Sequence, residues 1–284
     1  MSERVFLKRL IVTADDFGLT LSVNEAVEDG HRRGILTAAS LMVTGEAAAD
    51  PVARAKRLPL LGVGLHLVLV DGVPVLPPEQ IPALVGSDGR FSTNVFTQGV
   101  RIFCLPAARR QLAAEIRAQL EAFRATGLTL DHVNAHHHFH LHPTIQQTLL
   151  RLAPEFDIRA VRLPLEPPAA SGRPFAWLTG FMEARHARRL RDNLDIAGMA
   201  HNDWIFGLAD TGAMTAERVR HYLEKIPDGV SELYFHPATA RPSVWPANYR
   251  CSDEAAALID PEAQAIIARR GIEIIPFAGL QRTA

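Results

Sequence analysis

The chain alternates short apolar, β-branched runs with longer stretches of helical periodicity. Leu10-Ile11-Val12-Thr13 predicts a buried strand that runs into Asp15-Asp16-Phe17-Gly18. Ser22 and Glu25 have capping-box spacing, Val23, Ala26 and Val27 follow at helical spacing, and Gly34 is a stop. Residues 35–43 predict a second strand, and 47–58 a helix with Pro51 in its first turn or at a break. Residues 61–67 predict a third strand, which carries His66. Residues 70–106, rich in Gly and Pro, predict no long element; they read as an insertion or lid on one face. From 108 to 126, Leu112, Ile116, Leu120 and Phe123 form an apolar stripe that Gly127 caps. Residues 130–138 predict a strand entering a histidine-rich run, and Pro143 opens a helix containing Ile145, Leu149 and Leu150. A short strand at 160–163 and a Pro/Gly/Ser loop at 166–174 follow, then a helix bearing Phe175, Trp177, Leu178, Phe181 and Met182. Glu232 to Phe235 is a late strand ending at His236-Pro237, and a helix at 261–270 and a strand at 272–276 close the pattern.

Repeated βα order predicts an α/β fold, a parallel sheet covered by helices. At 284 residues a closed (β/α) barrel accommodates it, as one domain over 1–284 with 70–106 inserted. Barrel chemistry sits at the C-terminal ends of the strands, where Asp15, Asp16, His66, His136 and His236 fall.

Composition narrows the choice. Thirty Lys+Arg against 31 Asp+Glu leave a net charge of -1, which argues against nucleic-acid binding through a bulk basic field. Two cysteines exclude a disulfide framework or a Cys-rich zinc knuckle. Lys8 and Arg9 interrupt the first apolar run, and no leader or spanning segment is visible, so a cytoplasmic protein is expected.

Histidine is the unusual entry in the composition: six of the 12 (His132, His136, His137, His138, His140 and His142) fall in one short stretch. Neutral imidazole is the commonest metal-ligating side chain. If the run were extended, His136, His138 and His140 would share one face and His137 the other. A polar turn or an adventitious chelator is the bland alternative. Asp15 and Asp16, pointing in different directions from an extended segment, can supply a ligand and a base, or merely shape a turn. His66 alone is equally a hydrogen-bonded core residue. With no Cys set beside them, two His and a carboxylate make a catalytic rather than a structural site. No Gly-x-Ser-x-Gly, P-loop or Gly-x-Gly-x-x-Gly is present.

Thr13-Ala14-Asp15-Asp16-Phe17-Gly18, Gly64-Leu65-His66, Asn134-Ala135-His136-His137-His138-Phe139-His140-Leu141-His142-Pro143 and Glu232-Leu233-Tyr234-Phe235-His236-Pro237 resemble, in order and across most of the chain, the YdjC-like carbohydrate deacetylases. The resemblance implies an irregular, TIM-like (β/α) barrel and a hydrolase that removes N-acetyl groups from amino sugars with one divalent metal. It makes Asp16, His66 and His136 the metal ligands, Asp15 the catalytic base and His236 the candidate acid. His138 and His140 are alternative acids, or orient the ligands and substrate. Zinc and magnesium are the first candidates, with manganese, cobalt and nickel open. Thr37 to Val43, Gly64 to Gly72 and Ala160-Val161-Arg162-Leu163-Pro164 look most like the hopanoid biosynthesis-associated branch, HpnK. That branch implies an N-acetylglucosaminyl hopanoid lipid as substrate and transient contact with the inner membrane surface; a homodimer is a candidate assembly. Where the family often has Asp-Ser before the histidines, this chain has Asn134-Ala135, a departure not expected to alter the ligand set. Trp177, Leu178, Phe181 and Met182, like 70–106, are candidates for lipid contact; a buried helix face is the simpler reading of the former. A soluble amino sugar or chito-oligosaccharide is the alternative substrate. A metal-dependent esterase or phosphoesterase, and a non-catalytic sugar- or lipid-binding protein, are the competing classes.

Overall fold

In a computed structural model, which describes residues 8–167 and 176–280, with side chains in the second stretch from 184 onward, the strands form a parallel barrel. The strands are β1 (Lys8–Phe17), β2 (Ala38–Leu41), β3 (Gly62–Leu67), β4 (Val133–Ala135), β5 (Trp204–Phe206), β6 (Gly229–Phe235) and β7 (Glu273–Ile274). Hydrogen bonding runs β4-β3-β2-β1-β6-β5, with every pairing parallel. Residues 160–165 close the ring. Val161 bridges Val133 of β4, Ala160 bridges Ala200 ahead of β5, and the Ile205 amide bonds the Leu165 carbonyl. The strand expected at 160–163 is thus present only as single bridges, which makes the barrel irregular. β7 pairs with Arg9 and Leu10, at the end of β1 away from the aspartates.

The helices are α1 (Leu21–Arg33), α2 (Ala49–Ala55), α3 (Val95–Cys104), α4 (Pro106–Ala125), α5 (Pro143–Phe156), α6 (Ala176–Ala197), α7 (Ala216–Lys225), α8 (Cys251–Leu258) and α9 (Pro261–Arg269). Strands buried on both faces, such as Leu10 to Ala14 and Val63 to Leu67, are what a helix-covered parallel barrel requires. Pro51 sits in the first turn of α2, where its missing N–H costs nothing.

Three local expectations are corrected. The cap of α1 is Thr20, whose side chain accepts from the Val23 amide, while Ser22 lies inside the helix and donates to the Ala240 carbonyl. The 70–106 insertion contains a ten-residue helix, α3, started by Asn94 through the Thr97 amide. The strand expected over 130–138 ends at Ala135, so His136, His138 and His140 do not share a strand face. His137 and His138 instead adopt left-handed backbone angles (φ 54° and 51°), which His tolerates better than most side chains, and the chain turns over the mouth of the barrel. The side chains of Trp177, Leu178, Phe181 and Met182 lie outside the described residues.

Candidate metal centre

The two aspartates end β1 at an irregularity in its pairing with β2, between Ala14 and Phe17, where Asp16 takes φ 61°. A regular strand would send adjacent side chains to opposite faces. The bulge re-aims one of them, and both line one cavity of about 430 Å³ at the C-terminal end of the barrel. His66 from β3, His136 and His138 from the turn after β4, and His236 after β6 line the same cavity.

Asp16 Oδ1 lies 3.2 Å from His66 Nε2 and 3.3 Å from His136 Nδ1, and one ligand atom from each of the three falls within 4.8 Å of the others. Asp16 Oδ2 accepts a hydrogen bond from Trp245 Nε1 at 2.9 Å. Burial pushes the Asp16 carboxyl up, but His136 and His66 outweigh it and hold it well below the ordinary carboxylate range. Reciprocally, burial pushes His136 down and Asp16 brings it above the ordinary imidazole value.

The neighbouring atoms fix which nitrogen of a neutral His66 ring carries the proton. Its Nδ1 is 2.7 Å from Asn134 Oδ1. The Asn134 amide nitrogen donates to Asp15 Oδ1 and to Ser40 Oγ, so the carboxylate, which can only accept, sets the amide's orientation. Asn134 Oδ1 is therefore the acceptor and His66 Nδ1 carries the proton. In the neutral ring Nε2 is then a bare lone pair aimed at an ionised carboxylate oxygen. Both His66 Nε2 and Asp16 Oδ1 are buried without a hydrogen-bond partner among the described residues. Two buried acceptors facing each other call for a cation, and one carboxylate with two imidazoles is a donor set that leaves positions open for substrate. The residues present fit a divalent ion.

Asp15 is held differently. Arg162 grips it bidentately, Nη1 to Oδ2 at 2.6 Å and Nη2 to Oδ1 at 3.0 Å, and turns its remaining donors to Glu232 Oε1 at 2.9 and 2.7 Å. All three residues are buried. Burial raises the Asp15 carboxyl, but Arg162, with His66, outweighs it and keeps the group ionised far below the ordinary range.

The other histidines divide by task. Burial lowers His236, whose Nδ1 has no hydrogen-bond partner and whose ring sits against Tyr249, Tyr234 and Trp245. His138 lines the cavity with Nδ1 also unpartnered, and burial holds it well below the ordinary imidazole value. His140 lies behind, bonded through Nε2 to the Arg162 carbonyl at 3.0 Å and pushed by burial down to about 3. His142 caps α5, and His137 meets Asp71 at the rim. His132 is in the interior: Nδ1 meets Asp131 at 2.9 Å and Nε2 meets Ser40 at 3.0 Å. Gly64 makes room for that ring, since a Cβ there would sit 2.4 Å from His132 Cε1.

A family model described as "YdjC-like protein" matches residues 9–269. The chain belongs to the YdjC-like family. A relative from Brevibacillus brevis named "Carbohydrate deacetylase" is 36% identical over 231 residues, 81% of each chain. Another of the same name, from Geobacillus stearothermophilus, is 32% identical over 272 residues, 94% of this chain and 96% of that one. A solved structure from Enterococcus faecalis V583 superposes with a TM-score of 0.77 at 24% identity, over 97% of this chain and 100% of that one, and so shares the fold.

Within this YdjC-like barrel, the structure brings together Asp15, Asp16, His66, His136, His138 and His236 around one cavity and sets His140 behind it. Arg162, Asn134, Ser40, Glu232 and Trp245 join the site only through the fold. Two signals were available: Arg162 between Val161 and Leu163, and Glu232 in an apolar strand, are charges that a buried strand cannot carry unpaired. Asn134, where the chain departs from the family pattern, is the residue that joins Asp15, His66 and Ser40.

Proposed function

We propose that this carbohydrate deacetylase, a hydrolase of amide C–N bonds, acts on an N-acetylglucosamine unit carried by a hopanoid glycolipid such as N-acetylglucosaminyl bacteriohopanetetrol, with one divalent ion, zinc or magnesium, on Asp16, His66 and His136. The observation that carries the metal is the bare His66 Nε2 opposite Asp16 Oδ1, both buried and unpartnered. The likeness of residues 37–43, 64–72 and 160–164 to the hopanoid-associated branch supports the lipid, as do Val73 and Val244, exposed at the cavity rim.

When bound, the ion supplies Lewis-acid polarisation of the acetyl carbonyl. Asp16, with its second oxygen pinned by Trp245, and His66, with its tautomer set by Asn134, hold their donor atoms without rearrangement. Asp15 accepts the proton of the attacking water. Arg162 keeps Asp15 ionised at every working pH and fixes its direction, at the expense of basicity. His236 gives a proton to the departing nitrogen, which is a poor leaving group otherwise. Burial lowers its proton affinity and so makes the imidazolium a stronger acid. His138 stands near as a substrate contact, and His140 braces Arg162 through its carbonyl.

Mass spectrometry of N-acetylglucosaminyl hopanoid lipid and of soluble chito-oligosaccharide after incubation tests the reading. Loss of one acetyl from the lipid in preference to the soluble sugar is expected. Loss from the soluble sugar alone assigns the soluble substrate, and release of phosphate without acetate assigns another hydrolase class.

A further inference from the structure

Helix α3 is built with its apolar side outward. Phe96, Val100 and Phe103 lie on one face at spacings of four and three residues and are 79%, 45% and 57% exposed. The opposite face buries Gln98 and Ile102. Gln98 is held inside by two carbonyls, those of Leu69 and Leu84, so the orientation is anchored by a buried amide. Leu105 continues the exposed apolar surface past the helix end at 47% exposure. Scattered single exposures such as Leu60 and Ile196 are ordinary, but a contiguous stripe with two phenylalanines marks an interaction surface.

The segment that carries the stripe has charge of one sign. Residues 89–114 contain Arg90, Arg101, Arg109 and Arg110 and no aspartate or glutamate, in a chain whose net charge is -1. Arg109 lies directly over the Phe103 ring at 5.7 Å, and Arg110 beside it is exposed. Large apolar groups framed by arginine suit an anionic lipid surface, where the rings enter the headgroup boundary and the guanidinium groups meet phosphates. A two-fold contact with a second copy would set these arginines against their own counterparts.

The face is also at the right end of the barrel. The His142 ring bonds the Gly99 carbonyl of α3 at 3.2 Å, which ties the helix to the histidine turn. The strip leading into α3 is hydrogen-bonded to the cavity rim, Phe91 to Gly72 and Ser92 to Asp71, and Arg90, Gly72 and Val73 line the cavity itself.

We propose that the Phe96/Val100/Phe103 face of α3, with Arg109 and Arg110, docks the enzyme on an anionic membrane surface so that a lipid-linked sugar enters the cavity from the bilayer. The purpose rests on the glycolipid reading; the contact itself is tested without substrate. Purified full-length protein is floated with vesicles of phosphatidylcholine plus phosphatidylglycerol, and with phosphatidylcholine alone. The wild type is expected to float with the mixed vesicles, less with the neutral ones, and less as salt rises. Phe96→Ser/Phe103→Ser should reduce binding at least about tenfold, the loss expected from removing two inserted rings. Arg109→Gln/Arg110→Gln should abolish the preference for anionic vesicles. Both variants should deacetylate a soluble amino sugar at the wild-type rate, which shows that they are folded. Wild type that stays with the buffer, or an apolar variant that floats as well as wild type, overturns the proposal. So does a dimer that the apolar variant dissolves in the absence of vesicle binding. Vesicle binding without any acetate release would retain the surface and overturn the deacetylase reading instead.

Discussion

The histidine-rich segment contains two regions that look alike in sequence and behave oppositely in the fold. From Asp131 to Asn134 the side chains run inward along the barrel, and their polar atoms are paired. The Phe277 and Ala278 amides bond Asp131, which meets His132, then Ser40, then Asn134, which reaches Asp15 and His66. From His136 to His138 the chain turns over the cavity, two residues take left-handed angles, and His138 Nδ1 is left without a partner. Backbone strain and unsatisfied atoms gather at the second region and are absent from the first. The closed network holds geometry, and the open turn faces the cavity.

Substitutions that break this division should have graded effects. The largest is expected at Arg162, which pairs with two buried carboxylates. Arg162→Met should lower the unfolding free energy by about 3–5 kcal/mol, because Asp15 and Glu232 stay buried without a counter-charge. Urea denaturation measures it, and a loss below about 1 kcal/mol would mean that the carboxylates ionise without that arginine.

Asn134→Leu comes next. It leaves the ligands in place and removes the acceptor that fixes the His66 tautomer, so metal affinity should fall by about 10–100-fold with most of the stability kept. Competition with a chelator gives the number, and unchanged affinity would show that Asn134 only fills space. Ser40→Ala interrupts the paired chain between His132 and Asn134 and should cost on the order of 1–3 kcal/mol in thermal unfolding, with metal affinity moving less than for Asn134→Leu. The smallest effect belongs to the rim: His137→Ala loses an exposed contact with Asp71 and an edge contact with the His136 ring, so stability should change by less than about 1 kcal/mol. A collapse of metal binding in His137→Ala would move the centre outward onto Asp71, His136 and His137, a second group among the described residues whose spacing could hold an ion.

The barrel was legible because apolar, β-branched runs alternate with helical stripes, and because β1, β3 and β6 carry their unusual residues at the same end. The turn at His137 was not legible. Periodicity cannot distinguish an extended run from two left-handed residues, and the reading of alternating faces failed there. Helix α3 was hidden for a related reason: its apolar residues face solvent, and its buried side centres on a glutamine. The residues that line the cavity were visible in the sequence, but their supports were not. Arg162 is 147 positions from Asp15, and Trp245 is 229 from Asp16, contacts that only closure of the ring creates.

The central claim is that adjacent aspartates have separate tasks, Asp16 to hold an ion with His66 and His136, and Asp15 to move a proton. Metal content and acetate release, measured on the same preparations of wild type, Asp15→Asn and His66→Ala, test it most directly. Asp15→Asn should retain one divalent ion per chain and lose turnover, while His66→Ala should lose both. Normal acetate release from metal-depleted wild type, or from Asp15→Asn, would contradict the account.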